Sequence, residues 1–224
     1  MILRLKLAID NIYKQKGIKV KQQNFILIIS SPSGTGKTSI SKRIISDDPN
    51  IKLSISVTTR PKRSLEEEGI DYYFVDQAQF EKMRAQDEFL EYAKVFGNYY
   101  GSPKQNVIDQ LSKGNEVLFD IDWQGALALK EKLGRLVVSI FILPPSLAEQ
   151  ERRLKLRGQD SDEVVANRME ESKFEMSHYN LYDYVLINKD FDKTLSRIKA
   201  IIKAERLKHV DFSKFVEEMI VSKL

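Results

Sequence analysis

Eight consecutive residues, Ser31, Pro32, Ser33, Gly34, Thr35, Gly36, Lys37 and Thr38, combine the types needed to hold a polyphosphate. Gly34 and Gly36 allow backbone N–H groups to turn inward onto phosphate oxygens. Lys37 offers a cation to the β- and γ-phosphates of ATP, and the Thr38 hydroxyl is a ligand for Mg²⁺. The run is close to the Walker A pattern, with Ser31 standing where that pattern has its first glycine. Gly-Lys-Thr alone would be weak; the pattern carries meaning only between a buried strand and a helix whose N-terminus adds a positive dipole. Both flanks read that way. Phe25–Ile29 is a continuous apolar run of the kind buried on both faces of a parallel sheet, and Lys37 onward reads as a helix ending before Pro49.

The elements that must position this loop recur along the chain. Leu53–Val57, Val117–Phe119, Val137–Leu143 and Tyr184–Ile187 read as strands. Helical patterns occupy 76–86, 103–112, 124–132, 147–156, 162–181 and 192–206, with Ser146 as a cap after Pro144-Pro145. Strands alternating with helices imply an α/β fold with a parallel sheet covered on both sides, the three-layer P-loop NTPase arrangement. Residues 58–76 are polar, turn-rich and dotted with arginine.

Several further blocks follow in order: Ser56-Val-Thr-Thr-Arg60-Pro-Lys-Arg63, Gly69-Ile-Asp-Tyr72-Tyr-Phe74, Glu88-Phe-Leu-Glu91, Gly97-Asn-Tyr-Tyr100-Gly-Ser102 and Asp120-Ile-Asp122-Trp-Gln-Gly125. Together with the phosphate loop, this ordered set resembles the guanylate kinase family over residues 25–206. The resemblance implies phosphorylation of GMP, and of dGMP, by ATP with Mg²⁺. It also implies a core of residues 25–53, 108–149 and 171–206, an inserted GMP-binding lobe at 54–107 and a helical lid at 150–170. Residues 1–24 and 207–224 lie outside it, as N- and C-terminal extensions.

The residue types in those blocks suit that acceptor. Arg60 and Arg63 can fork onto a dianionic phosphate, and Tyr72 and Tyr100 can donate phenolic hydrogens to it. Guanine presents N1–H and N2–H₂ together, and a carboxylate such as Glu91 accepts from both, while the Ser56 and Ser102 hydroxyls can serve O6 or N7. The resemblance assigns these positions to GMP and adds Asp122 at the guanine side. Taken singly, each arginine reads first as a solvated charge and Tyr99-Tyr100 as core packing. Arg153 and Arg157 lie four apart on one helix face and Arg168 follows a turn, a set that by itself fits a solvated basic helix. On the family pattern the three form the catalytic lid over the ATP phosphates, beside Lys37. Asp120 ends an apolar strand, the station of an acid that orients Mg²⁺ waters.

Composition excludes several alternatives. The chain has no cysteine, which removes disulfide, thiolate-metal and cysteine-nucleophile chemistry and fits a cytoplasmic enzyme. His178 and His209 are too far apart to suggest a metal pair and read as surface or packing residues. Residues 1–24 carry six basic side chains against Asp10 alone, while the whole chain is +4, so the body is almost neutral. A nucleic-acid motor would need a basic track that this body lacks. A phosphopeptide-binding scaffold module would have a degraded phosphate loop, and a kinase for a phosphorylated sugar would lack Ser56, Glu91 and Ser102. No stretch reaches the ~18 uncharged apolar residues of a membrane span. Ile2, Leu5, Ile9 and Ile12 fall at helical spacing, consistent with a short helix packed on the body or, less suited to its scarce Arg and Ser, a membrane-surface or targeting helix. Homo-oligomerisation is left open by the sequence.

Overall fold

The structure, a computed structural model, describes residues 21–22, 24–64, 66–95, 97–156, 162–208 and 210–211. The N-terminal helical spacing at 2–12, Arg157 and His209 lie outside the described residues.

Five strands, β2 (Ile26–Ser30), β3 (Ile51–Leu53), β8 (Glu116–Asp120), β9 (Val137–Leu143) and β10 (Tyr184–Ile187), form a parallel sheet in the order β10-β9-β2-β8-β3. Every residue of β2 is buried, because each side of a central parallel strand meets a helical layer. Ile26 and Ile28 point into one cluster with Leu129 and Leu133 of α4 (Trp123–Leu133) and Leu111 of α3 (Lys104–Ser112). Leu27 and Ile29 point into the other, with Ile40 and Ile44 of α1 (Lys37–Asp47) and Leu195, Ile198 and Ile202 of α7 (Phe191–Lys208). The period of two thus divides one strand between two cores, giving the three-layer α/β fold.

A second sheet, ordered β5-β4-β7-β6, joins β4 (Val57–Thr58), β5 (Tyr73–Phe74), β6 (Phe89–Val95) and β7 (Asn98–Pro103). β7 runs antiparallel to both β4 and β6. Its small core is Phe80, from α2 (Gln77–Ala85), stacked on Phe89 at 4.6 Å and on Tyr99 at 5.3 Å. Asp76 caps α2 by accepting from Gln79 N at 2.7 Å.

Two of the elements expected from the sequence take a different form. Leu53–Val57 is not one strand. β3 ends at Leu53, Ser54 N still bonds Leu118 O (2.8 Å), and by Ser56 the backbone has crossed to the second sheet, where its carbonyl accepts from Tyr73 N (2.9 Å). The helix expected over 162–181 is α6 (Asp162–Met176) followed by a 3₁₀ turn at Tyr179–Leu181; the Ser177 hydroxyl bonds Phe174 O and closes the helix. Helix α5 (Leu147–Leu156) starts where Ser146 Oγ accepts from Glu149 N (3.1 Å). β1 (Lys21–Gln22) pairs antiparallel with β11 (Val210–Asp211), so the segments flanking the domain meet.

Candidate active site

A cleft of about 740 Å³ opens at the carboxyl ends of β2 and β8, between the two sheets. All eight residues from Ser31 to Thr38 line it. The loop's conformation requires its glycines: Gly34 and Gly36 have φ of 79° and 92°, and a Cβ on Gly34 would meet Leu154 Cγ of α5 at 2.9 Å. Two buried amides hold the loop from outside. Gln150 Nε2 donates to Ser33 O and Asn188 Nδ2 to Thr35 O, each at 2.7 Å. In a trans peptide the carbonyl and the following N–H point oppositely, so holding these carbonyls outward turns the N–H groups of Gly34 and Gly36 toward the cleft.

Lys37 is the first residue of α1 and pairs with Asp120, the last residue of β8. The register Ile29↔Asp120 brings that carboxylate beside the loop. Burial pulls the Lys37 ammonium down, but Asp120 more than offsets it, so the lysine stays charged with its pKa above the ordinary value. Thr38 also lines the cleft. Among the described residues no group of three His, Cys, Asp or Glu could hold a metal ion.

Ser56, Arg60, Arg63, Tyr72, Glu91, Tyr100 and Asp122 line the other end. Arg60 lies over the Tyr72 ring at 5.5 Å, and Tyr72 meets Tyr100 edge-on at 5.9 Å. Glu66, which the sequence reading did not single out, organises the pair of arginines. It accepts from Arg60 Nη2 at 2.6 Å and from Arg63 N at 2.8 Å. Burial lowers the Arg60 pKa, yet Glu66 and Tyr100 raise it above the ordinary arginine value.

Glu91, on β6, is 4% exposed. Ser102 is fully buried behind it, and its hydroxyl donates to Glu91 Oε1 at 2.6 Å, so this serine orients the carboxylate. Burial pushes the Glu91 pKa up to about 7, the Ser102 hydrogen bond opposes that shift, and the nearby Asp122 charge adds to it. Asp122 caps α4, accepting from Gly125 N at 3.0 Å. Trp123, the chain's one tryptophan, follows it and stacks on His178, with ring centroids 3.8 Å apart, so His178 is a packing residue.

Arg153 of α5 and Arg168 of α6 reach the cleft. Arg153 Nε bonds Glu149 Oε1 (2.8 Å) and its Nη2 donates to Asn188 O (3.3 Å). Glu175 of α6 also lines the cleft, with its pKa raised to about 7 by burial and opposed by Lys37. No local pattern in the sequence marks Glu175, Gln150 or Asn188, since each acts through a partner distant in sequence, and Glu66, close to Arg60 and Arg63, sits in a loop whose turn sets the contact.

Comparison with known proteins agrees with this geometry. The guanylate kinase family model matches residues 23–205. The guanylate kinase of Rickettsia felis is 52% identical over 189 residues, 84% of this chain and 98% of that protein. That of Rhizobium meliloti is 48% identical over 191 residues, 85% and 87% of the two chains. The crystal structure of guanylate kinase from Anaplasma phagocytophilum superposes with a TM-score of 0.71 at 40% identity, covering 84% of this chain and 89% of that one. No helix among the described residues is long and apolar enough to cross a membrane. With a phosphate loop at one end of its cleft, a buried carboxylate at the other, and these relatives over most of its length, the chain belongs to the guanylate kinase family.

Proposed function

We propose that this protein transfers the γ-phosphoryl group of ATP to GMP, giving ADP and GDP, and that it accepts dGMP as well. The observation that carries this reading is the joint lining of one cleft by the phosphate loop with Lys37, by Arg60 and Arg63, and by the buried carboxylate of Glu91. Lys37 and the loop N–H groups bind the donor phosphates. Thr38 and Asp120 would hold Mg²⁺ with the ATP, and the ion would supply charge neutralisation to the phosphates. Arg60, Arg63, Tyr72 and Tyr100 grip the phosphate of GMP. Glu91 accepts from guanine N1–H and N2–H₂, with Ser56, Ser102 and Asp122 completing that end. Adenine would leave the buried carboxylate without donors.

An oxygen of the GMP phosphate attacks the γ-phosphorus, and the bond from γ-phosphorus to the β-bridging oxygen breaks, releasing ADP. No general base is needed, since a phosphate monoester with a second pKa of ~6 is already mostly ionised at neutral pH. Catalysis is alignment and charge stabilisation by Lys37, Arg153, Arg157 and Arg168. A lobe of 54–107 and a lid of 150–170 close on the core and exclude water; equal radii of gyration with and without both nucleotides would count against closure. The setting is cytoplasmic, where ATP and GMP are available. The decisive measurement is ADP release with GMP, dGMP, AMP, CMP and UMP side by side. AMP turned over as well as GMP would sink the assignment.

A further inference from the structure

Gly125 lies in the first turn of α4, and its Cα faces the carboxylate of Glu91 across the boundary between the two sheets. A Cβ built there would stand 2.7 Å from Glu91 Oε2, 3.2 Å from its Cδ and 3.2 Å from Ile121 Cδ1. The carboxylate is already confined on its other oxygen by Ser102, and the strand carrying it is docked on the same helix, where Lys132 Nζ donates to Leu90 O at 2.6 Å. A methyl group at position 125 therefore meets only side-chain ends: Ile121 Cδ1 need give by a few tenths of an ångström, whereas the Glu91 carboxylate must be displaced. Nothing in the backbone demands glycine here, since Gly125 is absent from the positive-φ glycines and a helix favours alanine.

We propose that Gly125 is a specificity-determining position: the missing side chain keeps the Glu91 carboxylate where it meets the guanine edge. This rests on the reading of Glu91 as the guanine acceptor. Glycine at this place works against helix stability, and the space it leaves is the space the carboxylate occupies. Stability and selectivity should consequently respond to one methyl group with opposite signs, which a purely structural glycine would not show.

The test is Gly125→Ala in the full chain. The thermal midpoint should be kept or raised, the ATP KM should stay within about twofold, and the GMP KM should rise about tenfold or more. IMP, which lacks the 2-amino group and so asks less of Glu91, should lose less, narrowing the preference for GMP over IMP. Glu91→Asp, which withdraws the carboxylate, should cost less in the Gly125→Ala background than alone. A folded Gly125→Ala protein with an unchanged GMP KM, or with GMP and ATP KM raised equally, would overturn the inference. Should Gly125→Ala fail to fold, the double variant should restore folding; its failure also overturns the proposal. A wild-type protein that ignores GMP defeats the parent reading, whereas an active wild type beside an indifferent Gly125→Ala defeats this one alone.

Discussion

The two ends of the cleft are built by opposite strategies. At the donor end, eight consecutive residues hang between a fully buried strand and a helix, backed by core clusters on both faces of a parallel sheet. At the acceptor end, Ser56, Arg60, Arg63 and Tyr72 lie in segments flanking the two-residue strands β4 and β5, and Glu91 and Tyr100 on β6 and β7, above a cluster of three buried side chains. A contiguous loop on a deep core fixes its groups by local geometry. A dispersed site on a thin lobe must fix them by pairwise contacts, which is what Glu66 does for the arginines and Ser102 and Gly125 do for Glu91. The lobe is also the part expected to open at lowest free energy, since few apolar contacts hold it.

The strongest way to break this comparison is to remove a group from the donor end. Lys37→Ala should lower turnover by about 10²- to 10³-fold, since it deletes a cation from the developing charge. GMP binding measured by calorimetry should stay within about twofold, because the acceptor end is held by its own contacts. Turnover near normal would remove Lys37 from the mechanism; a collapse of GMP binding would show that the two ends are one unit.

At the acceptor end, Glu91→Gln replaces a double acceptor with a group that turns a donor toward guanine. GMP affinity should weaken by ~2–4 kcal/mol while ATP affinity is unchanged. Unaltered GMP affinity would reduce Glu91 to a structural carboxylate.

A gentler perturbation is pH. In the free protein the Glu91 carboxyl titrates at about 7, and only its ionised form can accept both guanine donors. GMP affinity should therefore fall roughly tenfold between about pH 8 and about pH 6, with protons released on binding near the lower value. Stability of the unliganded protein moves the other way. A carboxyl whose folded pKa is raised favours folding below its unfolded pKa, and that contribution is lost as pH rises through about 7. Glu91→Gln should flatten the GMP dependence above the range in which the nucleotide phosphate itself titrates; an equal slope in both proteins would assign it elsewhere.

The same contrast decides what could be read from residues alone. Val137–Leu143 and Tyr184–Ile187 were legible to the residue as largely apolar runs; the first, broken only by Ser139, is buried almost throughout, whereas Val185 and Ile187 of the edge strand are exposed. β6 and β7 were not seen as strands, because Tyr92 and Lys94 point outward amid small and polar neighbours and pairing across the hairpin holds them. β4 and β5 are too short to have a period at all. The phosphate loop was readable as a motif, whereas the acceptor residues became readable only as an ordered set. Glu175 stayed invisible, for its proximity to Lys37 arises when α6 folds over the sheet.

The smallest effect is expected farthest from the cleft. β2 runs toward the phosphate loop, so the segment before it enters at the opposite edge of the sheet. Deleting residues 1–22 removes β1 and all of the excess positive charge, yet GMP phosphorylation should stay within about threefold, under ~1 kcal/mol. A truncated protein that folds but loses most of its activity would bring that segment to the site.

The stack of Trp123 on His178 makes the protein its own optical instrument. The indole follows Asp122 at the start of α4, and the imidazole lies just beyond the end of α6, the helix that bears Arg168. Because the chain has one tryptophan, its emission is a single-site signal free of background from other indoles. A ring held face to face at this distance alters the indole's emission, so brightness should report whether the stack is intact. It should also follow any displacement of α6 relative to α4, since stacking at 3.8 Å is lost within a small slide. Rapid-mixing fluorescence of the unlabelled protein would then time the arrival of each nucleotide separately, giving the order and rate of closure without a dye or an engineered residue.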